Sequence, residues 1–360
     1  MNTIDPDAVR RLLVRGTNWV GDAVMSVPAL REIRRIFSRA RISLLVRPWV
    51  RDVYSAVDFV DEVVEFDKAG IHGGFAGRVR LITRLRRGEF DFAILLQNAF
   101  EAAVYPWLAR ISRRAGYARD GRGLLLTHAI RIDPGVRAVH QAYYYLGILS
   151  GLGLFPPKSW QAGQRLSAAV GVRQSDCDSA RDLLKARGVH EGEILIGLNP
   201  GASYGGAKRW LSDRYAAAAD LLADKFGARI LILGAPTDRT IAYEVSQMMT
   251  HTPLTLAGET SLGQLMGLLK ACRLLITNDS GPMHLAAALD VPQVAIFGSS
   301  SEIATGPLSS HAEVLKHPVD CSPCFLRECP IDFRCMTGIT TEMVFAAACR
   351  MMSKPGLAGG

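Results

Sequence analysis

Residues 274–298 constrain the fold of this chain more than any other stretch. Leu274-Leu-Ile-Thr277 is an apolar run with the length of a buried parallel strand. Asn278, Asp279 and Ser280 follow, all helix-capping types, and Pro282 suits a first helical turn, where its missing N–H costs nothing. Gly281 lets a neighbour approach closely, and a second apolar run at 293–297 closes the unit. Strand, polar turn, helix and strand in this order leave N–H groups and a positive dipole end at the carboxyl edge of a sheet. That is a place to hold phosphate. A capped helix alone would explain the turn. Asp279, Ser280, Gly281 and His284 crowded at one strand end point further, to a ligand.

The same rhythm runs through both halves. Apolar runs at 12–14, 42–46, 63–66, 90–96 and 115–117 read as strands, with helices at 23–37 and 101–112. Pro28 falls inside the first helical pattern and predicts a short turn ahead of the main helix. Gly and Pro break the pattern over 150–170, which places a domain junction there. A second run follows, with strands at 194–198, 229–233, 254–256, 274–277 and 293–297 and helices near 211–225, 238–249, 261–271 and 282–290. Strands alternating with helices imply two doubly wound α/β domains with a cleft between them. The expected bounds are 1–165 and 166–338, with a last helix at 339–352 packing back on the first domain. The closing Gly-Leu-Ala-Gly-Gly is expected to take no fixed structure.

At 360 residues, 49% hydrophobic and 21% charged, the chain reads as soluble and globular. No apolar run approaches the ~18 residues of a membrane span, and the first residues show no signal region, so a cytoplasmic location is expected. The net charge of +8 is uneven. Residues 1–150 carry 23 Lys+Arg against 15 Asp+Glu, whereas residues 151–360 carry 19 of each. The first half is therefore suited to an anionic partner: acidic lipid, a phosphorylated acceptor or nucleic acid. No zinc-finger, RRM or helix-turn-helix pattern supports nucleic acid. Cys321, Cys324, Cys329 and Cys335 crowd into one segment that reads as a structural metal site, as reduced thiols in a loop, or as a disulfide formed on isolation.

Three strand-end loops of the second half carry residues suited to a nucleotide diphosphate. They are 199–210, 234–238 and 278–284. Lys208 suits the charged oxygens, Asp238 the ribose hydroxyls, and 279–281 the space beneath the phosphates. Taken singly, Lys208 also reads as a surface lysine and Asp238 as an N-cap. Gly16-x4-Gly21 has the glycines of a phosphate loop, but Asp22 stands where Lys is required. A carboxylate at the mouth of the first strand is placed instead as a general base, with a plain N-cap as the other reading. No G-x-G-x-x-G follows the first strand, against a nicotinamide or flavin enzyme.

Arg15-Gly-Thr-Asn-Trp-Val-Gly-Asp22 with Pro28-Ala-Leu30, the run 199–210, Leu256-Ala-Gly-Glu-Thr-Ser-Leu262 and Thr277-Asn-Asp-Ser-Gly-Pro-Met-His284 together resemble the ADP-heptose:lipopolysaccharide heptosyltransferases, above all their type II members. The resemblance spans residues 10–350. It implies a GT-B fold, with two Rossmann-like domains facing across a cleft. The acceptor would bind the first domain and ADP-heptose the second. It further implies inverting, metal-independent transfer of heptose from ADP-L-glycero-D-manno-heptose to the heptosyl-Kdo2-lipid A inner core of lipopolysaccharide, at the cytoplasmic face of an anionic inner membrane. Asp22 matches the catalytic carboxylate and Lys208 the lysine on the donor phosphates. Asp238 matches the ribose-binding acid, and Ser203, Asp279, Ser280, Gly281 and His284 fall in the donor-binding runs. No cofactor is implied. Another nucleotide sugar on the same fold, a sugar-nucleotide hydrolase or epimerase, and a non-catalytic nucleotide-sugar-binding protein are the rival readings.

Overall fold

The computed structural model describes residues 4–157 and 166–353. Within them the chain divides after Ala168 into two units. Part of the 150–170 junction and the closing glycine-rich residues lie outside the described residues.

The first unit is a six-stranded parallel sheet: β1 (Arg11–Arg15), β2 (Arg41–Val46), β3 (Glu62–Glu65), β4 (Phe92–Leu95), β5 (Arg113–Tyr117) and β6 (His128–Ile130). Its order is β3-β2-β1-β4-β5-β6. The second unit repeats the plan with β7 (Leu195–Asn199), β8 (Arg229–Ile232), β9 (Leu254–Thr255), β10 (Leu274–Asn278), β11 (Gln293–Phe297) and β12 (Ala312–Lys316), ordered β12-β11-β10-β7-β8-β9. Both orders are the doubly wound pattern. The strand sequence reverses direction between β1 and β4 in one sheet and between β7 and β10 in the other, and ligands bind at such reversals, beyond the carboxyl ends. The central strands read as continuous apolar runs because helices cover both faces; β7, β10 and β11 are buried at every position.

Proline sets the first helical connection. A helix over Val20–Met25 stops at Ser26 and a new one runs Val27–Ile36 with Pro28 in its first turn. Inside one continuous helix Pro28 would lose a backbone hydrogen bond and press its ring on the carbonyl of Val24. The Ser26 hydroxyl donates instead to the Ala23 carbonyl at 2.8 Å. The expected break is therefore present. The edge strands β6 and β12 are additions to the expected set. So are the helices Gly74–Arg87 and Gln174–Ala186, whose polar faces mask their apolar stripes.

The last helix, Thr341–Met352, turns its apolar face to the sheet of the second unit. Val344, Ala347, Ala348 and Met351 lie in the core of the second unit with Ile196, Leu198, Ile276 and Ile296. Alanine at 347 and 348 allows the close approach that this packing onto the sheet requires.

Candidate active site

In the first unit Asp22 sits in the opening turn of the helix that leaves β1 at the switch point. It is not the N-cap; Trp19 holds that position without a side-chain cap. The Asp22 carboxylate accepts a hydrogen bond from the Tyr145 hydroxyl at 2.9 Å, from a helix that follows β6. Burial, reinforced by the Asp22 charge, holds the Tyr145 phenol well above its ordinary value, so Tyr145 stays a donor through the neutral range. Asp22 itself is half-buried. Its place in the first turn also sets its charge in the favourable end of the helix dipole. A recess lined by Arg11, Arg41, Ser43 and Glu62 opens at the amino ends of β1 and β2, the edge opposite Asp22, and so belongs to a different surface.

In the second unit the three expected loops converge, because β8, β7 and β10 are neighbours with their carboxyl ends on one edge. The Lys208 ammonium meets the Asp279 carboxylate at 2.5 Å, and Thr305 adds a hydroxyl donor to the same oxygen at 3.2 Å. Asn199 reaches across the switch point and donates to the Ser280 hydroxyl at 3.0 Å. Asn278 donates to the Pro200 carbonyl at 2.8 Å and accepts from the Trp210 N–H and the Tyr215 hydroxyl, each at 3.0 Å. Burial raises the Tyr215 phenol well above its usual range, which keeps it in this donor role. The asparagines thus tie the 199–210 loop to the 278–284 loop.

Ser280 caps no N–H of the helix Gly281–Ala288 with its side chain, since its hydroxyl is engaged by Asn199 and Thr277. The first-turn N–H groups are left facing the carboxyl edge, the arrangement that favours an anion. His284 is buried within the same helix. Asp238 is 5% exposed; one carboxylate oxygen accepts from the Ala235 N–H at 2.9 Å and the other has no hydrogen-bond partner. Gly201 makes room for it: a Cβ there would lie 2.2 Å from the Asp238 carboxyl carbon. A buried acceptor with a spare oxygen suits a hydroxyl donor from a ligand. Ser203 lies exposed in a turn of the 199–210 loop, with no hydrogen bond to the others.

The family model for glycosyltransferase family 9 (heptosyltransferase) matches residues 78–333. The chain is 33% identical over 318 residues to lipopolysaccharide heptosyltransferase 2 of Salmonella typhimurium, across 85% of this chain and 88% of the relative. It belongs to glycosyltransferase family 9. The Escherichia coli K12 lipopolysaccharide heptosyltransferase 2 is 31% identical over the same shares. Among solved structures, E. coli ADP-heptose LPS heptosyltransferase II matches with a TM-score of 0.78 and 27% identity over 95% of this chain and 98% of that one. The family 9 glycosyl transferase from Veillonella parvula matches with a TM-score of 0.81 and 25% identity over 98% and 99%. Membership makes this chain a glycosyltransferase, and its two doubly wound units are the components of the GT-B fold.

For a family 9 enzyme, two features were not reached from sequence. Tyr145 is separated from Asp22 by 123 residues, and no motif or spacing in the sequence links the two. Asn199 and Asn278 read as turn residues, although each is almost fully buried. The cysteines read from sequence as a structural metal site, as reduced thiols or as a disulfide formed on isolation. Cys321, Cys324, Cys329 and Cys335 do line one small cavity, but among the described residues no three or more His, Cys, Asp or Glu side chains are arranged to hold a metal ion. Cys335 is drawn into the core by the helix Arg334–Thr337, while Cys321 stays exposed. Burial, then the neighbouring thiols, push the Cys335 thiol up.

Proposed function

We propose that this glycosyltransferase moves heptose from ADP-L-glycero-D-manno-heptose to the heptosyl-Kdo2-lipid A inner core of lipopolysaccharide, with inversion and without a catalytic metal. The relatives' names support the donor and acceptor. The observation that carries the mechanism is the Lys208–Asp279 contact, which fixes a cation beside the uncapped start of the helix Gly281–Ala288.

In this reading the ADP group lies over that helix start, with Asp238 taking a ribose hydroxyl and Ser203, Ser280 and His284 completing the loop walls. An acceptor hydroxyl gives its proton to Asp22 as its oxygen attacks the anomeric carbon. The bond from that carbon to the phosphate oxygen breaks, and ADP leaves with the electron pair. The sugar passes through an oxocarbenium-like state. Lys208 and the helix N–H groups stabilise charge growing on the leaving phosphate. The basic first unit meets the phosphorylated, lipid-borne acceptor at the cytoplasmic face of the membrane.

Mass analysis of a heptose-deficient lipopolysaccharide core incubated with ADP-heptose and enzyme tests this. The expected product gains one heptose. ADP release without a modified core marks a hydrolase, binding without turnover marks a nucleotide-sugar-binding protein, and transfer only from another nucleotide sugar changes the donor; each refutes the assignment.

A further inference from the structure

The four-cysteine segment has no part in the chemistry above, yet it is bound to the lysine loop at four points. The Ala207 N–H donates to the Arg327 carbonyl at 2.8 Å, and the Gly206 N–H donates to the Glu328 carboxylate at 3.1 Å. The Tyr204 hydroxyl donates to the Phe325 carbonyl at 2.8 Å. Gly205 touches the same backbone so closely that a Cβ would lie 2.4 Å from the Arg327 carbonyl oxygen. The cysteine cavity extends to Ala207, so the thiols pack beneath this junction.

Charge explains why a loop should be held there. Lys208 is in contact with Asp279, whose side chain is 4% exposed, so much of its field is already cancelled. A diphosphate leaving with at least two negative charges needs more than one neutralised pair. The neighbouring cations are also spoken for: Arg209 lies 4.0 Å from the Asp238 carboxylate and Lys316 lies 2.7 Å from Glu302. Arg327 forms no ion pair among the described residues. Its guanidinium lies 5.4 Å from the Tyr204 ring centroid, and the Lys208 ammonium lies 5.2 Å from the same centroid.

We infer that Arg327, delivered by the cysteine-rich loop and steadied on Tyr204, is a second cation for the donor's diphosphate. This rests on the ADP-sugar reading of the site. Arginine suits the task, since its planar donors grip phosphate oxygens in pairs. Glu328 and the cysteines act through the loop and position Arg327 without touching the ligand.

Titration calorimetry of the full chain with ADP and with AMP separates the possibilities. Arg327→Ala is expected to weaken ADP about tenfold or more, the worth of a charge-assisted contact, while AMP affinity stays within about twofold. Arg327→Lys should recover part of the loss, and Arg327→Glu should deepen it. Unchanged ADP affinity, or equal weakening of ADP and AMP, overturns the inference, the second outcome marking a purely structural loop. Unliganded melting temperatures identify any variant that fails to fold, and Arg327→Lys then decides. A wild-type chain that ignores ADP overturns the ADP-sugar reading as well.

Discussion

Asp22 illustrates what residue-scale reasoning reaches and where it stops. Its type and place after the first strand suggested a base or a helix cap, and the structure puts the cap elsewhere, at Trp19. The hydrogen bond from Tyr145 orients one carboxylate oxygen. No spacing rule reports that contact, because it is made by tertiary packing across 123 residues. The second unit was more legible. Lys208, Asp238 and Asp279 lie in loops that follow three strands, and strand adjacency alone brings them to one edge. Ser203 is exposed, which the sequence did not report because it does not tell which way a turn faces. If Asp22 is the general base, Asp22→Asn keeps the shape and hydrogen bonding of the site but removes the proton acceptor. Turnover should fall by ~10²–10⁴-fold while ADP affinity stays nearly intact. Single-turnover transfer within a few-fold of the wild type would remove Asp22 from the chemistry.

At the scale of elements, the strands buried on both faces are the most legible, because continuous apolar runs carry the signal; β3 and β9, partly exposed, were read from shorter runs. The edge strand β12 has partly exposed positions throughout and so lacks that signal. The helix Gly74–Arg87 buries only Gly77, Leu81 and Leu85 in a run rich in arginine, too thin a stripe to recognise. Connections between elements are held by specific polar contacts that composition also hides. Asp61, just ahead of β3, accepts from the Ile42 N–H at 2.7 Å and from the Arg34 guanidinium, joining the start of β2 to the helix Val27–Ile36. Burial opposes ionisation of Asp61, but those two donors outweigh it and hold the carboxyl below its ordinary value. The unfolded chain therefore takes up this proton first as the pH falls. The stabilisation is complete above the ordinary carboxylate value of about 3.9 and is lost as pH drops through the lower folded value. Asp61→Asn should lower the urea midpoint at neutral pH, and the gap to the wild type should close below about pH 4. A gap that is constant down to the acid limit would show that the Asp61 charge plays no part.

For the whole molecule, the uneven charge and the placement of exposed apolar side chains address the same question. In a parallel sheet every carboxyl end lies on one edge, so loops leaving β1 to β5 deliver their side chains to a common surface. Trp19, Trp49, Ile71, Phe75, Phe100 and Leu124 lie in those loops or at the helix starts that follow them, and all are exposed, Phe75 at 86% and Leu124 at 96%. Large apolar side chains gathered on one edge mark a contact surface. Between Lys68 and Gly88 the sequence adds six cations and no carboxylate. Apolar side chains flanked by arginine are the composition of a segment that lies on an anionic bilayer, and among the described residues no helix is long and apolar enough to cross one. This edge also bears Asp22, so lipid contact there would bring a membrane-borne acceptor to the carboxylate that the proposal makes its base. Sedimentation with vesicles of phosphatidylglycerol and phosphatidylcholine should pull down the chain, and binding should weaken as salt rises past the range where the Debye length falls below about 10 Å. Pure phosphatidylcholine should retain little. Phe75→Ser combined with Leu124→Ser should reduce binding to the anionic vesicles without moving ADP affinity, because both side chains belong to the first unit and the donor loops belong to the second. Equal retention on both vesicle types, or a double variant that sediments like the wild type, would assign this surface to the acceptor's sugars alone.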